Sequence, residues 1–326
     1  MPTALPPWAE DLGHGVYAVD TGFHRPRFDS AYLVVGEGGR AAFVDTGPNP
    51  GVPRLLGLLD ALGIAREAVD AVIPTHVHLD HAGGAGTLMA ALPNATLWVH
   101  PRGARHMIDP GQLYAGALAI YGQQEMDRSY GMLQPVAAER VRTTEDGMQA
   151  TIAGRRLRFA DTRGHARHHH CVWDEATRGW FTGDTFGLSY REFDTAAGAW
   201  ITPTCTPVQF EPDHLAASIR RLLAADPACI YLTHYSRVAD VPRLGALLLA
   251  QLDAVVAVAH AGPPGESGDE RHARLCAGLR AHYLRSLAAH GVTLPADAIA
   301  ELLAIDIDLN AQGIGIWLDR EAGHRA

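Results

Sequence analysis

Short apolar runs separated by glycine-rich breaks open the chain. The runs are rich in β-branched and aromatic residues and lie at 16–19, 30–35 and 41–45. Runs of this length and composition between turn-forming segments are typical of strands, and their short connections favour antiparallel pairing. The sequence therefore predicts an antiparallel sheet at the start of the chain.

A helical pattern then alternates with the strands. After Pro53, leucines recur with the i, i+3, i+4, i+7 spacing of a helix, and Gly63 ends the pattern. A strand at 71–73, a helix at about 86–92 and a strand at 95–100 follow. This alternation predicts a sheet covered by helices.

Residues 102–138 interrupt the alternation and are predicted to form a helical insertion. Tyr114 and Tyr121 lie in a segment of helical spacing, and Met126 and Met132 add adaptable apolar surface. Two interpretations stay open at this point. The insertion is either a packing subdomain or a lid whose side chains line a substrate pocket.

Strand patterns return after residue 151, and a purely helical pattern begins at about 241. The predicted elements are strands at 155–160, 171–174, 180–184 and 229–234, with a helix at 212–224. Helices near 242–260, 268–290 and 295–306, and a short tail, are expected to complete the chain. We therefore expect a catalytic domain at 1–240 and a helical extension at 241–326.

The charged residues narrow the functional classes. All 27 basic residues are arginine, and the net charge is -9. A chain without lysine cannot form a Schiff base, supply a P-loop lysine or bridge two metals through a carbamylated lysine. The acidic balance opposes a protein that binds phosphate backbones by bulk electrostatics. We expect a small-molecule substrate and no nucleic-acid partner, while a homo-oligomer stays open.

Cysteine usage and the apolar segments predict a cytoplasmic protein. The four cysteines are scattered without a C-x-x-C pair, which favours reduced thiols. The N-terminal segment has neither the basic region nor the apolar core of a signal peptide. The most apolar stretch, 244–261, contains Gln251 and Asp253, so it is predicted to be a buried helix and no membrane partner is expected.

Candidate chemistry concentrates in the segment Thr75-His76-Val77-His78-Leu79-Asp80-His81, directly after the strand at 71–73. His76 and His78 are two residues apart, so their rings can converge on one cation. The carboxylate and the third imidazole of the segment then point elsewhere, which suits a second cation. The alternative is a His-rich surface turn.

Three more ligand-type residues also follow predicted strands. They are His165, Asp184 and His234. Strand ends on one edge of a layered sheet meet in space, so these residues and the His-rich segment can form a single metal site.

These motifs resemble the metallo-β-lactamase superfamily of metallohydrolases, most closely its glyoxalase II-like and uncharacterised hydrolase branches. The matching segments are 43–47, 75–84, 161–165, 181–185 and 231–234, in the family's order. Together they span residues 15 to about 240. The resemblance implies an α/β fold, a four-layer αββα sandwich with a dinuclear metal site between its two sheets. The helical insertion and the C-terminal helical extension add to that core.

The resemblance also implies which residues bind two divalent metal ions. His76, His78 and His165 would bind the first ion, Asp80, His81 and His234 the second, and Asp184 would bridge them. Seven nitrogen and oxygen ligands favour Zn²⁺, with Fe or Mn as alternatives. Two metals sharing a water would generate hydroxide to attack a substrate carbonyl. Asp80, Asp184 and His234 would therefore be catalytic as well as metal-binding.

Further residues are assigned around these ligands. Asp45 and His169 match positions whose side chains brace the ligands by hydrogen bonding. His168 and His170 have no counterpart in the family pattern, so surface or packing roles are expected. Substrate contacts are expected from four tyrosines, which are Tyr114, Tyr121, Tyr190 and Tyr235.

Three activities compete for this chain. The favoured one is hydrolysis of an ester, thioester or lactone of a small molecule, although basic residues that would grip a glutathione thioester are missing. The alternative is a mononuclear iron persulfide dioxygenase, a group whose pattern the segment after Asp184 matches poorly. A nuclease is the third, and the net charge and missing lysine oppose it.

Overall fold

The computed structural model describes residues 4–263 and 266–325, with side chains up to 323, and the chain divides into two compact units. The first unit comprises Met1–Asp161, His168–Gly183 and Pro227–Ala239. The second comprises Thr162–Arg167, Asp184–Asp226 and Asp240–Ala326. The chain thus passes between the units several times. The last of these passages lies between Ala239 and Asp240, and the division into a catalytic domain at 1–240 and a helical extension at 241–326 stays a prediction.

The first unit contains two sheets. The seven-stranded sheet runs in sequence order through β1 (Ala9–Asp11), β2 (Val16–Asp20), β3 (Ser30–Val35), β4 (Ala41–Val44), β5 (Val69–Ile73), β6 (Thr96–Val99) and β7 (Val141–Thr143). The six-stranded sheet contains β8 (Gln149–Ile152), β9 (Arg155–Asp161), β10 (His170–Asp174), β11 (Gly179–Phe181), β12 (Cys229–Leu232) and β13 (Ser236–Val238). β1 to β4 pair antiparallel, as predicted, and β4 to β7 pair parallel.

The alternation of side chains along the strands builds two cores in this unit. Leu33 of β3 packs on the helix side of the first sheet, in one cluster with Leu55 and Leu58. Its neighbours Tyr32 and Val34 point to the opposite face, into the layer between the two sheets. Each face of the first sheet is therefore buried, which explains its nearly continuous apolar strands.

Helices of the first unit follow the predicted alternation. They are α1 (Val52–Leu62), α2 (Leu79–Ala82), α3 (Ala85–Ala91), α4 (Pro101–Ile108) and α5 (Gly111–Glu125). The predicted insertion is helical, with α4 and α5 followed by a π-helical turn at Met126–Tyr130. Within it Met126 is fully buried, whereas Met132 is exposed.

The helical part of the second unit extends further than predicted. Its helices are α6 (Pro212–Leu223), α7 (Val241–His260), α8 (Gly268–Ala289), α9 (Ala296–Leu302) and α10 (Ala304–Arg325). The expectation of a short tail after residue 306 is wrong, because those residues form α10. Asn310 of this helix accepts a hydrogen bond from the Cys205 amide at 2.6 Å, and α10 packs on α8. Tertiary contacts therefore stabilise the helical conformation of a segment whose glycines weaken its helical pattern.

Helix α7 is long and apolar enough to cross a membrane by length and composition alone. Its residues Leu244, Leu248 and Leu252 are buried, and the helix packs against α6 and α8 within the second unit. Core helices pass the same test of length and composition. One face of the helix is therefore buried, which agrees in part with the predicted buried helix.

Candidate metal centre

The His-rich segment lies where β5 ends and the chain turns into α2. Asp45 follows β4, and His76 follows the neighbouring parallel strand β5, so both lie at the carboxyl edge of the first sheet. His76 and His78 occupy the extended link, whereas Asp80 and His81 belong to the helical turn. The change in backbone direction gives two groups of side chains, but the groups are less separate than the sequence predicted, because the His76 and His81 ring centroids lie 4.0 Å apart.

One of these groups forms a compact set with His234, which follows β12 in the same unit. The Asp80 Oδ2 atom lies 3.5 Å from His81 Nε2 and 3.4 Å from His234 Nε2. One ligand atom from each residue lies within 4.8 Å of the others. Both imidazoles are buried, while the Asp80 side chain is 21% exposed. A carboxylate and two imidazoles at this spacing are a donor set for a divalent transition metal.

Hydrogen bonds fix the tautomer of both imidazoles in a way that fits a metal. His81 Nδ1 donates to Asp45 Oδ2 at 3.0 Å, and His234 Nδ1 donates to the Phe28 carbonyl at 2.9 Å. Carboxylate and carbonyl oxygens only accept, so each proton lies on Nδ1. In the neutral imidazoles, the Nε2 atoms that face Asp80 therefore carry the lone pairs that a metal ion requires.

The other group is the pair His76 and His78. His76 Nε2 lies 2.9 Å from His78 Nδ1, and the Thr75 hydroxyl lies 3.2 Å from His76 Nδ1. His76 is fully buried and His78 is half-buried. The two rings converge as the two-residue spacing predicted, with one nitrogen of each ring at the point of convergence.

Asp45 ties the ends of three strands together. Its carboxylate accepts hydrogen bonds from the Thr75 amide at 2.7 Å, the Thr75 hydroxyl at 3.0 Å and the Thr233 hydroxyl at 2.9 Å, besides His81. Each threonine immediately precedes a ligand-type histidine, at positions 76 and 234. Sequence reasoning did not single out these threonines, although the repeated Thr-His pair was a usable signal.

His165 and Asp184 lie together in the second unit. His165 Nε2 is 3.4 Å from Asp184 Oδ2, and both side chains are buried. The Thr204 hydroxyl donates to the Asp184 carbonyl at 3.2 Å, so it accepts the proton of His165 Nδ1 at 3.0 Å. The Nε2 atom facing the carboxylate is again the lone-pair nitrogen, which is the form that binds metal.

The predicted bracing residue His169 is buried beside His76, with ring centroids 4.7 Å apart and nearly parallel planes. Gly183 makes this packing feasible. Its φ of 45° lies in the left-handed region, and a Cβ there would stand 2.7 Å from His169 Nε2. Gly183 therefore sets how closely its strand end approaches the imidazoles.

The two histidines without a family counterpart lie inside the protein. His168 Nδ1 accepts a hydrogen bond from the Val77 amide at 3.4 Å. His170 Nδ1 lies 2.8 Å from the Thr144 hydroxyl. Burial, and then the positive charge of His100, lower the pKa of His170 to about 3. His170 is therefore a neutral packing residue at physiological pH, in line with one of the two expected roles.

A row of aromatic rings leads from His234 to the insertion. The centroid distances are 5.5 Å from His234 to Phe28, 5.8 Å from Phe28 to Phe23 and 5.2 Å from Phe23 to Tyr130. Tyr121 lies next in the row, 5.1 Å from Tyr130. One predicted substrate residue, Tyr121, is thus connected to the proposed ligand His234 through packed rings.

The other three tyrosines have different surroundings. Tyr114 is half-buried on α5, and Tyr235 is buried directly after His234. Tyr190 is fully buried in the second unit, where its hydroxyl donates to the Asp306 carboxylate at 3.1 Å. Their contact with substrate, like that of Tyr121, stays a prediction.

Asp29 is a buried carboxyl group that the sequence did not reveal. The Thr21 hydroxyl donates to its Oδ2 atom at 2.6 Å. Burial raises the pKa of Asp29 to about 7, and protonation of the nearby His234 and His81 imidazoles would oppose that rise. It lies in an irregular segment, where no strand pattern or ligand motif marks it.

Comparison with known proteins decides the family. The sequence profile of the metallo-β-lactamase superfamily matches residues 24–234, more than half of the chain. The chain belongs to the metallo-β-lactamase superfamily.

Solved structures of metallo-β-lactamase superfamily proteins confirm the αββα fold. One, from Sulfolobus tokodaii, superposes with a TM-score of 0.64 at 21% identity and covers 93% of this chain and 98% of its own. Another, from Thermus thermophilus, has a TM-score of 0.63 at 20% identity and covers 96% of this chain and 95% of its own. At such identities the likeness establishes the fold alone.

A curated relative is the β-lactamase-like protein 2 homolog of Caenorhabditis elegans, which is 25% identical over 155 residues. The match covers 48% of this chain and 43% of that protein, so it spans less than half the length of the relative. Membership of the superfamily and the His and Asp groups together support the binding of divalent metal.

Proposed function

We propose that this superfamily member is a dinuclear metal-dependent hydrolase that cleaves an ester, thioester or lactone of a small molecule in the cytoplasm. The observation that carries the proposal is the set Asp80, His81 and His234, in which both imidazoles are held as Nδ1–H tautomers with Nε2 toward the carboxylate. Two imidazole nitrogens and a carboxylate oriented toward one another in this way form the donor set that a divalent cation requires.

The full ligand set comes from the family motifs. His76, His78 and His165 would hold one ion, Asp80, His81 and His234 the other, with Asp184 shared between them. Four of the imidazoles have Nδ1 next to a protein oxygen, which orients Nε2 for coordination; the oxygens belong to Thr75, Asp45, Thr204 and Phe28. When bound, two divalent ions lower the pKa of a shared water toward neutrality and polarise a substrate carbonyl.

The residues of the chain would supply positioning and proton transfer. Asp45 holds His81 in place through its carboxylate, and the Phe28 carbonyl does the same for His234. Asp80 differs from these buried groups because its side chain reaches solvent. Its carboxylate can therefore accept the proton of the attacking water and deliver it to the leaving group.

Substrate would enter from the side of the insertion. A pocket of about 330 Å³ in the first unit is lined by Phe23, His24, Arg128 and Ser129, among others. Its volume suits a small molecule. The rings of Phe23 and His24 would pack against an acyl chain. This interpretation makes the insertion part of the substrate site.

The proposal also specifies the identity of the metal. Zinc is favoured because the seven proposed ligands bind through nitrogen and oxygen atoms and include no thiolate. A neighbour of the same fold, described as a peroxy diiron species of a chemotaxis sensor, superposes with a TM-score of 0.51 at 14% identity. Iron therefore has to be tested alongside zinc.

Elemental analysis of protein purified without added metal, combined with a substrate panel, tests the proposal. The panel contains an aryl ester, an acyl thioester, a five-membered lactone, a β-lactam, a persulfide and RNA. We expect at least two zinc ions per chain and turnover of an ester, thioester or lactone. Iron with oxygen consumption on persulfide, or turnover of RNA alone, would replace the proposal with one of its competitors.

A pair of variants ties activity to the site. His78→Ala removes one proposed ligand and is expected to lower both the metal affinity of that position and turnover by about 100-fold. His214→Ala, at an exposed histidine of α6, is the matched control and should leave both unchanged. Full activity in His78→Ala would contradict the proposal.

A further inference from the structure

A second group of metal-binding side chains lies on the helices of the second unit, outside the site described above. His272 and Cys276 are four residues apart on α8, so they share one face of that helix. Asp308 comes from α10, which packs on α8. One ligand atom of each residue lies within 4.8 Å of the others. Imidazole, thiol and carboxylate are the three side-chain types that bind Zn²⁺ in proteins.

The distances between these atoms are close to those around a tetrahedral zinc. His272 Nε2 lies 2.9 Å from Asp308 Oδ1 and 3.5 Å from Cys276 Sγ. Tetrahedral coordination at usual bond lengths requires about 3.3 Å between nitrogen and oxygen and about 3.6 Å between nitrogen and sulfur. Small side-chain shifts would therefore satisfy the geometry, and no rearrangement of either helix is needed.

A further contact orients the carboxylate. The Gln312 side-chain amide donates to the other oxygen of Asp308, Oδ2, at 2.9 Å. Oδ1 therefore faces His272. Hydrogen bonds from neighbouring side chains orient metal-binding carboxylates in the same way. Cys276 is half-buried and Asp308 is exposed, so an ion can reach the group from solvent.

We propose that His272, Cys276 and Asp308 form a surface site for a single Zn²⁺-like divalent ion, with water as the fourth ligand. Binding converts the Cys276 thiol to a thiolate and releases its proton to solvent, while the ion bonds to the sulfur, the imidazole nitrogen and Asp308 Oδ1. A thiolate selects zinc, cobalt or cadmium over magnesium and calcium. The ion would tie α8 to α10, so its role is to stabilise the C-terminal helices.

Cobalt substitution distinguishes this site from the proposed dinuclear centre. None of the seven ligands there is a thiolate, so only the surface site can produce a sulfur-to-cobalt charge-transfer band. Co²⁺ is titrated into full-length protein whose dinuclear centre is already loaded with zinc. We expect a near-ultraviolet charge-transfer band that saturates at one cobalt per chain. Absence of the band would overturn the proposal and leave His272 and Asp308 as an ion pair only.

Variants assign the band to these residues. Cys276→Ser and His272→Gln should each lose it, whereas His214→Gln, at an exposed histidine of the same unit, should keep it. Because both substitutions lie on the surface of α8, circular dichroism should show unchanged helix content. A band that persists in Cys276→Ser would contradict the assignment. Hydrolytic turnover should stay at the wild-type level in all three variants, which separates this test from that of the proposed function.

Thiol labelling gives an independent measurement. The other three cysteines are buried, so an aromatic disulfide reagent should react with one thiol per native chain. Zinc at saturation is expected to slow that reaction by at least tenfold, and magnesium should have no effect. Equal labelling rates with and without zinc would show that Cys276 does not bind the ion.

Discussion

The Nδ1 proton of His81 is held by Asp45 Oδ2 at a distance of 3.0 Å, inside a fully buried part of the first unit. The same carboxylate accepts from Thr75 and Thr233, so it joins the ends of β4, β5 and β12. One acidic side chain thus orients a proposed metal ligand and also connects the two sheets. We therefore expect metal affinity and local packing to depend on a single residue.

Replacing Asp45 by asparagine should weaken metal binding while preserving side-chain shape. An amide has one acceptor oxygen and cannot satisfy both threonines and the imidazole, so His81 loses its fixed tautomer. Loss of such a supporting contact typically costs about 10–100-fold in metal affinity. Competition with a chromogenic chelator measures the change. Asp60→Asn, at an exposed carboxylate of α1, is the control, and equal affinities in the two variants would refute the role given to Asp45.

Gly183→Ala should damage the site through crowding. The added Cβ would collide with the Thr75 hydroxyl and stand 2.7 Å from His169 Nε2, and φ at this position is unfavourable for alanine. We expect a loss of about 2 kcal/mol or more in the free energy of unfolding, with reduced metal content. Urea denaturation and elemental analysis check both.

Gly116→Ala is the matched control for that substitution. Gly116 lies exposed on α5, and a Cβ there meets no atom within 4 Å. Alanine should raise stability by up to about 1 kcal/mol because of its better helix propensity. Equal destabilisation by the two substitutions would argue against crowding at position 183.

His170 should make the fold sensitive to acid. Its pKa is about 3 in the folded protein and near 6.5 when unfolded, so between these values only the unfolded chain binds the proton. Proton binding to this residue in the unfolded chain should therefore lower the free energy of unfolding by about 1.4 kcal/mol for each pH unit from pH 6.5 down to about 3. Above pH 6.5 both states are neutral and the contribution is constant.

His170→Asn tests this pH dependence. Asparagine keeps a polar atom near the Thr144 hydroxyl but does not titrate. The slope of the unfolding free energy against pH, measured between pH 4.5 and 6, should therefore be shallower by about 1.4 kcal/mol per pH unit. The measurement is urea denaturation at several pH values, with His214→Gln as a control that keeps the wild-type slope. Identical slopes for all three proteins would exclude His170 as the acid-sensitive group.

Two neighbouring arginines of β9 should differ sharply in their contribution to stability. Arg155 is buried and pairs with Asp174, which is fully buried, whereas Arg156 pairs with Glu175 in an exposed position. Arg155→Met leaves a buried carboxylate without its cation and should cost about 3–5 kcal/mol. Arg156→Met should cost about 1 kcal/mol or less. Chemical denaturation of both variants measures the difference, and similar values would contradict the burial argument.

The parts of the fold that the sequence predicted are those with local signals. The alternation in β2 and β3 and the leucine spacing of α1 each reflect one element facing one core. The sequence did not predict helix α10 because the contacts that stabilise it are not local. Its Gly313 lies against the backbone of Cys205 and Thr206, and Asn310 binds the Cys205 amide. Such a partner, about a hundred residues away in the chain, leaves no periodic pattern.

The proposed metal ligands could be picked out from the sequence because they are histidines and carboxylates placed after strands. The atoms that orient them are harder to find in a sequence. The Phe28 carbonyl that binds His234 is a backbone atom, separated from it by 206 residues. Any residue type can supply that carbonyl, so no sequence motif identifies the contact. Asp29 was missed for a related reason, since its burial follows from tertiary packing and not from its neighbours.

The insertion contacts the row of aromatic rings that leads to His234 and supplies none of the seven proposed ligands. If the proposed function holds, reaction chemistry and molecular recognition belong to different stretches of polypeptide. Exchange of residues 102–138 between homologous genes would then change the accepted substrate in one recombination event and leave the proposed ligands intact.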